Sequence, residues 1–467
     1  MKQKYNALML AVLSAIQLTG CGGGGSNEGT SSAEARPSTS TSTSTSTSTS
    51  TSTSTSTSVA LAPLAVRTIQ NNQCSSTAIS VDVIFHDQNG AFISSRKTNS
   101  NGQIDTGLPE NTKHASFILK TTDSQNTLHT QVQTILNVQD GFEVDALVFN
   151  NPNTCGCSDI TYNLETLIAQ APDADLHNAT NNTIDLSNTE NEVYACVPEQ
   201  QKLLFTHSPA GYKGGLFDTS ESTTIALSDD QLMASGTPLD LSNYNFEPNE
   251  SINLTSYVGN EAVYNVNLPR AAINNLFSEP HNKLVTFSDL DTVSYLSTSK
   301  LSEEFTGSGF IRTHSYALTP IDNEGNTNRP QHFDNTDAYS SVYNFFMQMN
   351  ANESNDIAIN IKSTVSNLDA VMIKMNWSDF DHGNVSWNVF TDGQDVIPDI
   401  DFGSILPSDS MSFNNVSMEV LLLDLNTEQN FDDMRELYFE SAESFEKRVD
   451  SKLFDGMASY SFTSSEQ

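Results

Sequence analysis

The chain has two tryptophans, Trp377 and Trp387, and both fall in one short stretch, NWSDFDHGNVSWNV. A hairpin turning at His382 would set the two rings opposite each other. Cross-strand aromatic pairs stabilise a sheet by about 0.2–1 kcal/mol, so packing alone accounts for such a pair. Turned to solvent, the same rings would stack on sugar faces, which makes Trp377 and Trp387 candidate ligand-binding residues. Asp379, Asp381 and Asn384 in the same turn region carry the oxygen ligands that calcium takes. Calcium wants about six to eight such oxygens, and carboxylates in a hairpin loop are more often simply solvated.

Other polar clusters carry less. Asp322, Glu324, Asn326 and Asn328 alternate as in a calcium-binding loop, but Gly325 is misplaced and no glutamate follows at the twelfth position. Asp395, Asp399 and Asp401 form a loop cluster expected to be solvated. The nine histidines are scattered singly, and none stands in H-E-x-x-H. Neither a G-x-S-x-G elbow nor a G-x-x-x-x-G-K-[ST] phosphate loop occurs. A glycosidase needs only two carboxylates, placed anywhere in the sequence. A secreted carbohydrate-active hydrolase using carboxylates of the C-terminal β domain is therefore the alternative function.

The elements expected to position these groups are mostly strands. Ile79, Val81, Val83 and Phe85 alternate with Ser80, Asp82, Ile84 and His86, the period of a half-buried strand. Asn89-Gly90 predicts a two-residue type I′ turn, and Asn101-Gly102 a second turn. Further strands are expected at 115–119, 130–138 and 142–149, then at 202–206, 222–227, 262–268, 284–287 and 309–316. A short helix is expected over 164–170, stopped near Pro172. The polar segment DNEGNTNRPQ, Asp322 to Gln331, reads as a domain boundary. Strands are expected after it at 342–349, 356–361, 370–377, 385–390 and 418–425, with a C-terminal helix around Glu428 to Phe439. The fold class is mainly β: multi-domain β-sandwiches with a minor helix near the C-terminus.

The pattern of a strand, DQNGA, a short strand, TNSNGQI and then LP, between Thr77 and Asn150, resembles carboxypeptidase-regulatory-like (transthyretin-like) domains and bacterial Ig-like repeats. Either resemblance implies a non-catalytic structural or binding module, and neither transfers functional residues.

The N-terminus reads MKQKYNALMLAVLSAIQLTGC. Lys2 and Lys4 precede an apolar run too short to span a bilayer, which has the length and flanks of a signal h-region. Leu18-Thr19-Gly20-Cys21 resembles the bacterial lipobox. That resemblance implies lipidation of Cys21, cleavage before it, and insertion of the acyl chains into outer-membrane lipid, since Gly22 rather than Asp follows. Gly22 to Gly25 and the Ser-Thr alternation up to Ser58 cannot bury a core and predict a disordered tether. As a coil, it would reach about 30–37 Å. The expected order is a signal peptide (1–20), a lipidated Cys with its linker (21–68), a first β-sandwich (69–150), a second β-rich domain (151–330) and a third (331–467).

Four cysteines remain beyond Cys21: Cys74, Cys155, Cys157 and Cys196. An even number in an exported chain predicts structural disulfides, with three connectivities open. Cys155 and Cys157 flank a single glycine, so each is expected to reach a distant partner. The chain carries 21 Lys and Arg against 57 Asp and Glu, a net charge of −36. Such a charge argues against nucleic acid and anionic lipid surfaces as partners. Together these features predict a lipid-anchored envelope protein with a non-enzymatic structural, adhesive or ligand-binding role. Its expected partners are a glycan or an envelope protein, with no cofactor beyond the calcium weighed above.

Overall fold

The computed structural model describes residues 64–71, 76–138, 143–151, 157–179, 183–196, 201–218, 224–239, 241, 250–258, 261–268, 284–306, 309–333, 335–351, 357–358, 360–365, 368–379, 381–394, 396–406, 417–425, 431 and 455–466. The expected signal peptide, Cys21 and most of the tether lie outside them. So does the expected C-terminal helix, apart from Phe431.

Strands from all three expected domains join one twelve-stranded sheet. Its order is Glu261–Leu268, Glu250–Val258, Val293–Thr306, Gly309–Ile321, Ala458–Glu466, Ser417–Asp424, Ala370–Asp379, Gly383–Thr391, Leu128–Ile135, His114–Thr122, Asp82–His86 and Phe92–Lys97. Every neighbouring pair is antiparallel except Gly383–Thr391 with Leu128–Ile135, the seam where the C-terminal strands meet the N-terminal ones. The domain limits near 150 and 330 therefore fall between strands of a shared sheet.

Smaller sheets cover its two ends, which gives the architecture its sandwich character. At one end, strands Leu64–Asn71, Ser76–Ala78, Gln103–Thr106 and Glu143–Asn150 form a four-stranded sheet. Its Leu64, Val66, Leu147 and Phe149 pack on Val83, Phe85, Ala115 and Phe117 of the long sheet. Leu64 to Arg67 already pair with Gln103 to Thr106, so the expected linker gives way to strand before residue 68. At the other end, Leu203, Phe205, Val285 and Phe287 pack on Ile252, Leu254 and Leu296.

Two local expectations are corrected. Strand Asp82–His86 is buried on both faces, because Ile84 and His86 are as fully covered as Val83 and Phe85. Its alternation separates two cores rather than core from water. The segment expected as strand 342–349 is instead part of helix Asn335–Ala351. Ala338, Val342 and Phe345 recur at helical spacing and bury one stripe against the middle of the long sheet. The aromatic run there mimics strand composition. The short helix near residue 164 forms at Glu165–Gln170.

The predicted two-residue turn at Asn89-Gly90 is longer. Asp87 N–H donates to Ala91 O at 3.0 Å and Gly90 N–H to Asp87 O at 3.1 Å, with Gly90 at φ +80°. This is a type I turn followed by a left-handed residue. Asp87 Oδ1 accepts the N–H groups of Asn89 and Ala91 at 2.8 and 3.0 Å. Asn99, Asp123 and Asp322 cap their loops through the same two bonds, to the second and fourth residues after them. The acid at Asp322 is thus a turn cap, and Asn326 Nδ2 donates to its other oxygen at 3.1 Å. The segment from Asp322 to Gln331 is tied to the long sheet through Arg329, which pairs with Glu250, and through His332 just after it.

Candidate functional site

The tryptophan hairpin closes one residue earlier than a turn centred on His382 requires. Asp379 pairs with Gly383, Trp377 with Val385, and Trp387 with Met375. Gly383 fixes this register: its φ is +69°, and a Cβ there would lie 2.0 Å from Leu128 O. The rings are diagonal neighbours on one face, and that face is the core. Trp377 is 5% exposed and Trp387 2%, so they do not form an open platform for a sugar.

The same strands line a cleft of about 570 Å³, to which Trp377 and Val385 contribute beside the polar residues of the opposite face. Strand alternation puts Lys374, Asn376 and Ser378 on this side, with Asn384 and Ser386 of the returning strand. The register aligns Ser417, Asn376, Ser386 and Gln131 across four neighbouring strands. A second rung holds Ser378, Asn384 and His129. Adjacent strands lie about 4.8 Å apart, so the cleft floor is a regular lattice of amides and hydroxyls.

Some of these groups are committed. Gln131 Nε2 donates to Asn150 O at 2.5 Å, and its Oε1 accepts Asn150 N–H at 2.8 Å. His129 Nε2 lies 3.1 Å from Asp123 Oδ2, and that hydrogen bond holds Asp123 below the usual carboxylate range. Ser378 Oγ donates to Asn384 Oδ1 at 3.0 Å. Lys374, Asn376, Ser386 and Ser417 have no side-chain partner among the described residues. The strands are paired on both sides, so the cleft offers side-chain hydrogen bonds and no free backbone edge.

The calcium candidates stand at the turn of this hairpin. Asn384 Oδ1 is taken by Ser378, Asp381 is exposed, and the side chain of Asp379 lies outside the described residues. Asp401 caps its own turn through Gly403 N–H at 2.8 Å, Asp399 is exposed, and Asp395 lies outside the described residues. Among the described residues no three His, Cys, Asp or Glu side chains are placed to hold a metal ion. Cys74 and Cys155 lie outside the described residues. Cys157 and Cys196 belong to strands Cys157–Asn163 and Glu190–Cys196.

Sequence reasoning missed three polar groupings, because each joins residues far apart in the chain. His86 Nε2 lies 2.9 Å from Ser116 Oγ, Ser116 Oγ 2.8 Å from Thr134 Oγ1, and Trp387 Nε1 donates to Thr134 Oγ1 at 2.9 Å. This chain crosses four strands inside the core. Burial, then the neighbouring His114, pushes the His86 imidazole down to about 4.

The second grouping puts His332 Nδ1 2.8 Å from Ser315 Oγ and its Nε2 2.8 Å from Thr298 Oγ1. Glu250 Oε1 lies 3.8 Å from the same Nε2, and Arg329 Nη2 is 3.6 Å from Glu250 Oε2. The residue types are those of a nucleophile, base and acid. Ser315, however, is 2% exposed in mid-strand, and Thr298 rather than the acid holds the far nitrogen closely. The arrangement pins residues 329–332 onto the sheet.

Third, Asp369 and Asp424 adjoin the last register pair of their strands, Ala370 with Leu423. Asp369 Oδ2 accepts Leu425 N–H at 2.8 Å. Burial, and then Asp369, pushes the Asp424 carboxyl up to about 6.

Comparison with protein-family profiles and with curated proteins finds no match to this chain.

Proposed function

We propose that this chain is a lipid-anchored envelope protein whose β body captures a polar ligand, an oligosaccharide, without catalysing a reaction on it. The observation that carries the binding half is the cleft over Asn376 and Ser386. Its lining matches a ligand recognised through many hydroxyl and amide hydrogen bonds. A peptide captured by strand addition needs an unpaired edge, and these strands have none. The tryptophans act beneath the cleft, stiffening the sheet that presents it.

The anchoring half is carried by the signal-like N-terminus, Leu18 to Cys21 and the Ser-Thr tether. Three acyl chains on Cys21 would give far firmer membrane retention than one. Outer-membrane residence follows from Gly22 at the sorting position, and the exported environment favours disulfides among Cys74, Cys155, Cys157 and Cys196. The first sandwich, around residues 77–150, is best assigned to the transthyretin-like or Ig-like modules.

Two measurements test this. Cys21→Ser should move the protein from the membrane fraction to the soluble fraction, and unchanged partitioning would overturn the anchor. The soluble Cys21→Ser chain should bind a subset of glycans on an array, and uniform failure to bind would overturn the ligand class.

The acid pair Asp369 and Asp424 favours the alternative, a carbohydrate-active hydrolase. A carboxyl that keeps its proton towards neutral pH suits a general acid. Release of reducing ends from a polysaccharide, lost in Asp424→Asn, would establish that reading instead.

A further inference from the structure

We propose that the ligand of the cleft is an acidic oligosaccharide, whose hydroxyls lie over Asn376 and Ser386 and whose anionic group meets the Lys374 ammonium. This rests on the reading of the cleft as an oligosaccharide site and adds the charge of the ligand. The chain holds 57 acids against 21 lysines and arginines, yet the cleft lining runs the other way. Among the described residues it contains no aspartate or glutamate, and its basic groups are Lys374 and His129. His129 Nε2 already has Asp123 Oδ2 3.1 Å away. Lys374 is therefore the cation that a ligand can use.

Lys374 is half-buried and makes no ion pair among the described residues. Lys97 and Lys213, by contrast, pair with Asp82 at 3.1 Å and Asp229 at 2.7 Å. Glu419 stands opposite Lys374 on one neighbouring strand and Asn388 on the other, but no ion pair joins Lys374 to Glu419. A cation partly withdrawn from water without a counter-charge loses hydration that nothing in the protein replaces. An anion seated in the cleft would replace it through a charge-assisted hydrogen bond.

Position sets which part of the ligand is charged. Lys374 and Asn376 are two residues apart on strand Ala370–Asp379, so they share a face at a spacing of about 7 Å. Asn376 belongs to the rung that runs through Ser417, Ser386 and Gln131. The amide and hydroxyls of Asn376, Ser386 and Ser417 can each donate to and accept from sugar hydroxyls. The sugar ring therefore spans this rung, and its carboxylate or sulfate points one rung on, towards Lys374. The net negative charge of the chain does not prevent this. At physiological salt the Debye length is about 8 Å, so distant carboxylates are screened while a contact with Lys374 is not.

The test is binding of the full soluble Cys21→Ser chain to matched glycan pairs. One set holds oligouronides beside their carboxyl-reduced forms, the other sulfated oligosaccharides beside their desulfated forms. The acidic member of a pair should bind about ten- to a hundredfold tighter than its neutral counterpart, the size of one hydrogen bond to a charged group. The set that shows the difference identifies the anion as carboxylate or sulfate. Lys374→Met should erase the difference by weakening the acidic member alone, and Lys374→Arg should keep most of it. Lys374 has no ion pair to lose, so both variants should melt near the temperature of the parent chain. If Lys374→Met fails to fold, Lys374→Gln is read in its place. Equal binding of acidic and neutral members, or a preference that survives Lys374→Met, would overturn the acidic ligand and leave an oligosaccharide cleft standing. Binding of no glycan at all would overturn both readings.

Discussion

Trp387 donates its indole N–H to Thr134 Oγ1 at 2.9 Å, joining residues 253 positions apart. The bond crosses the parallel seam between Gly383–Thr391 and Leu128–Ile135, and continues through Ser116 to His86. Trp387→Phe should destabilise the fold by about 2–4 kcal/mol, combining a lost buried hydrogen bond with a cavity. Thr134→Val should cost about 1–2 kcal/mol. Because the two side chains share one bond, the double variant should cost less than the sum, with a coupling of about 1 kcal/mol in urea unfolding. Full additivity would show that the bond contributes nothing.

Gly383 holds the same seam from the backbone side. At φ +69°, with a Cβ position 2.0 Å from Leu128 O, it has no room for a side chain. Thr130 Oγ1 donates to His382 O at 2.9 Å beside it. Gly383→Ala should therefore cost about 3 kcal/mol or more, read as a lowered midpoint in chemical unfolding. An Ala variant as stable as the parent chain would contradict this close approach.

Acid should destabilise the protein through its buried histidines. Burial, then a neighbouring imidazole, holds both His86 and His314 down to about 4, against about 6.5 when unfolded. Between these values the unfolded chain binds more protons, so stability falls as pH drops from about 6.5 to 4 and levels below that. Each histidine contributes at most about 3 kcal/mol to this loss. His86→Gln should remove its share of the slope in unfolding free energy measured from pH 4 to 7. An unchanged slope would place its ionisation elsewhere.

Asp424 works in the opposite sense. Its carboxyl is pushed up to about 6, so its proton is favoured in the folded state. The stabilisation is complete below the unfolded value and is lost as pH rises through about 6. Asp424→Asn should leave stability near pH 4 unchanged and raise it at pH 8 by about 1 kcal/mol, after allowance for the screening of a partly exposed group. Because the histidine and carboxylate slopes oppose each other between pH 4 and 6, the two variants resolve what the parent chain hides. A gain for Asp424→Asn that is equal at both pH values would mean that the carboxyl is not raised.

Much of the strand inventory is legible in the sequence, because period-two alternation and turn residues are local. The strands at 370–379, 383–391 and 417–424 fall close to where their apolar residues predict. What stays hidden is which face meets which layer. Ile84 and His86 alternate as an outward face would, yet a second core covers them, centred on Trp387 and Phe402. The helix Asn335–Ala351 is hidden for a different reason: its aromatic run has strand composition, while its burial has helical spacing. The candidate site divides the same way. The sequence points to the tryptophan hairpin, but a one-residue difference in turn position changes which residues stand opposite one another. The polar rungs exist only once Leu128–Ile135 is paired in, and nothing local announces that partner.

The cleft itself gives the most direct test of function. Asn376 and Ser386 are register partners at its centre, and neither side chain has a partner among the described residues. Removing both should therefore leave folding nearly unchanged while deleting two or more hydrogen bonds to a bound oligosaccharide. At about 1 kcal/mol for each bond, Asn376→Ala with Ser386→Ala should weaken binding by about tenfold or more. Trp387→Phe, altered on the buried face and outside the cleft lining, should lower the melting temperature with little change in affinity at a temperature where the variant stays folded. The contrast separates a ligand held by the polar lattice from one held by the indole rings. Loss of glycan binding in Trp387→Phe, with full binding in the double variant, would move the site to the other face of the sheet.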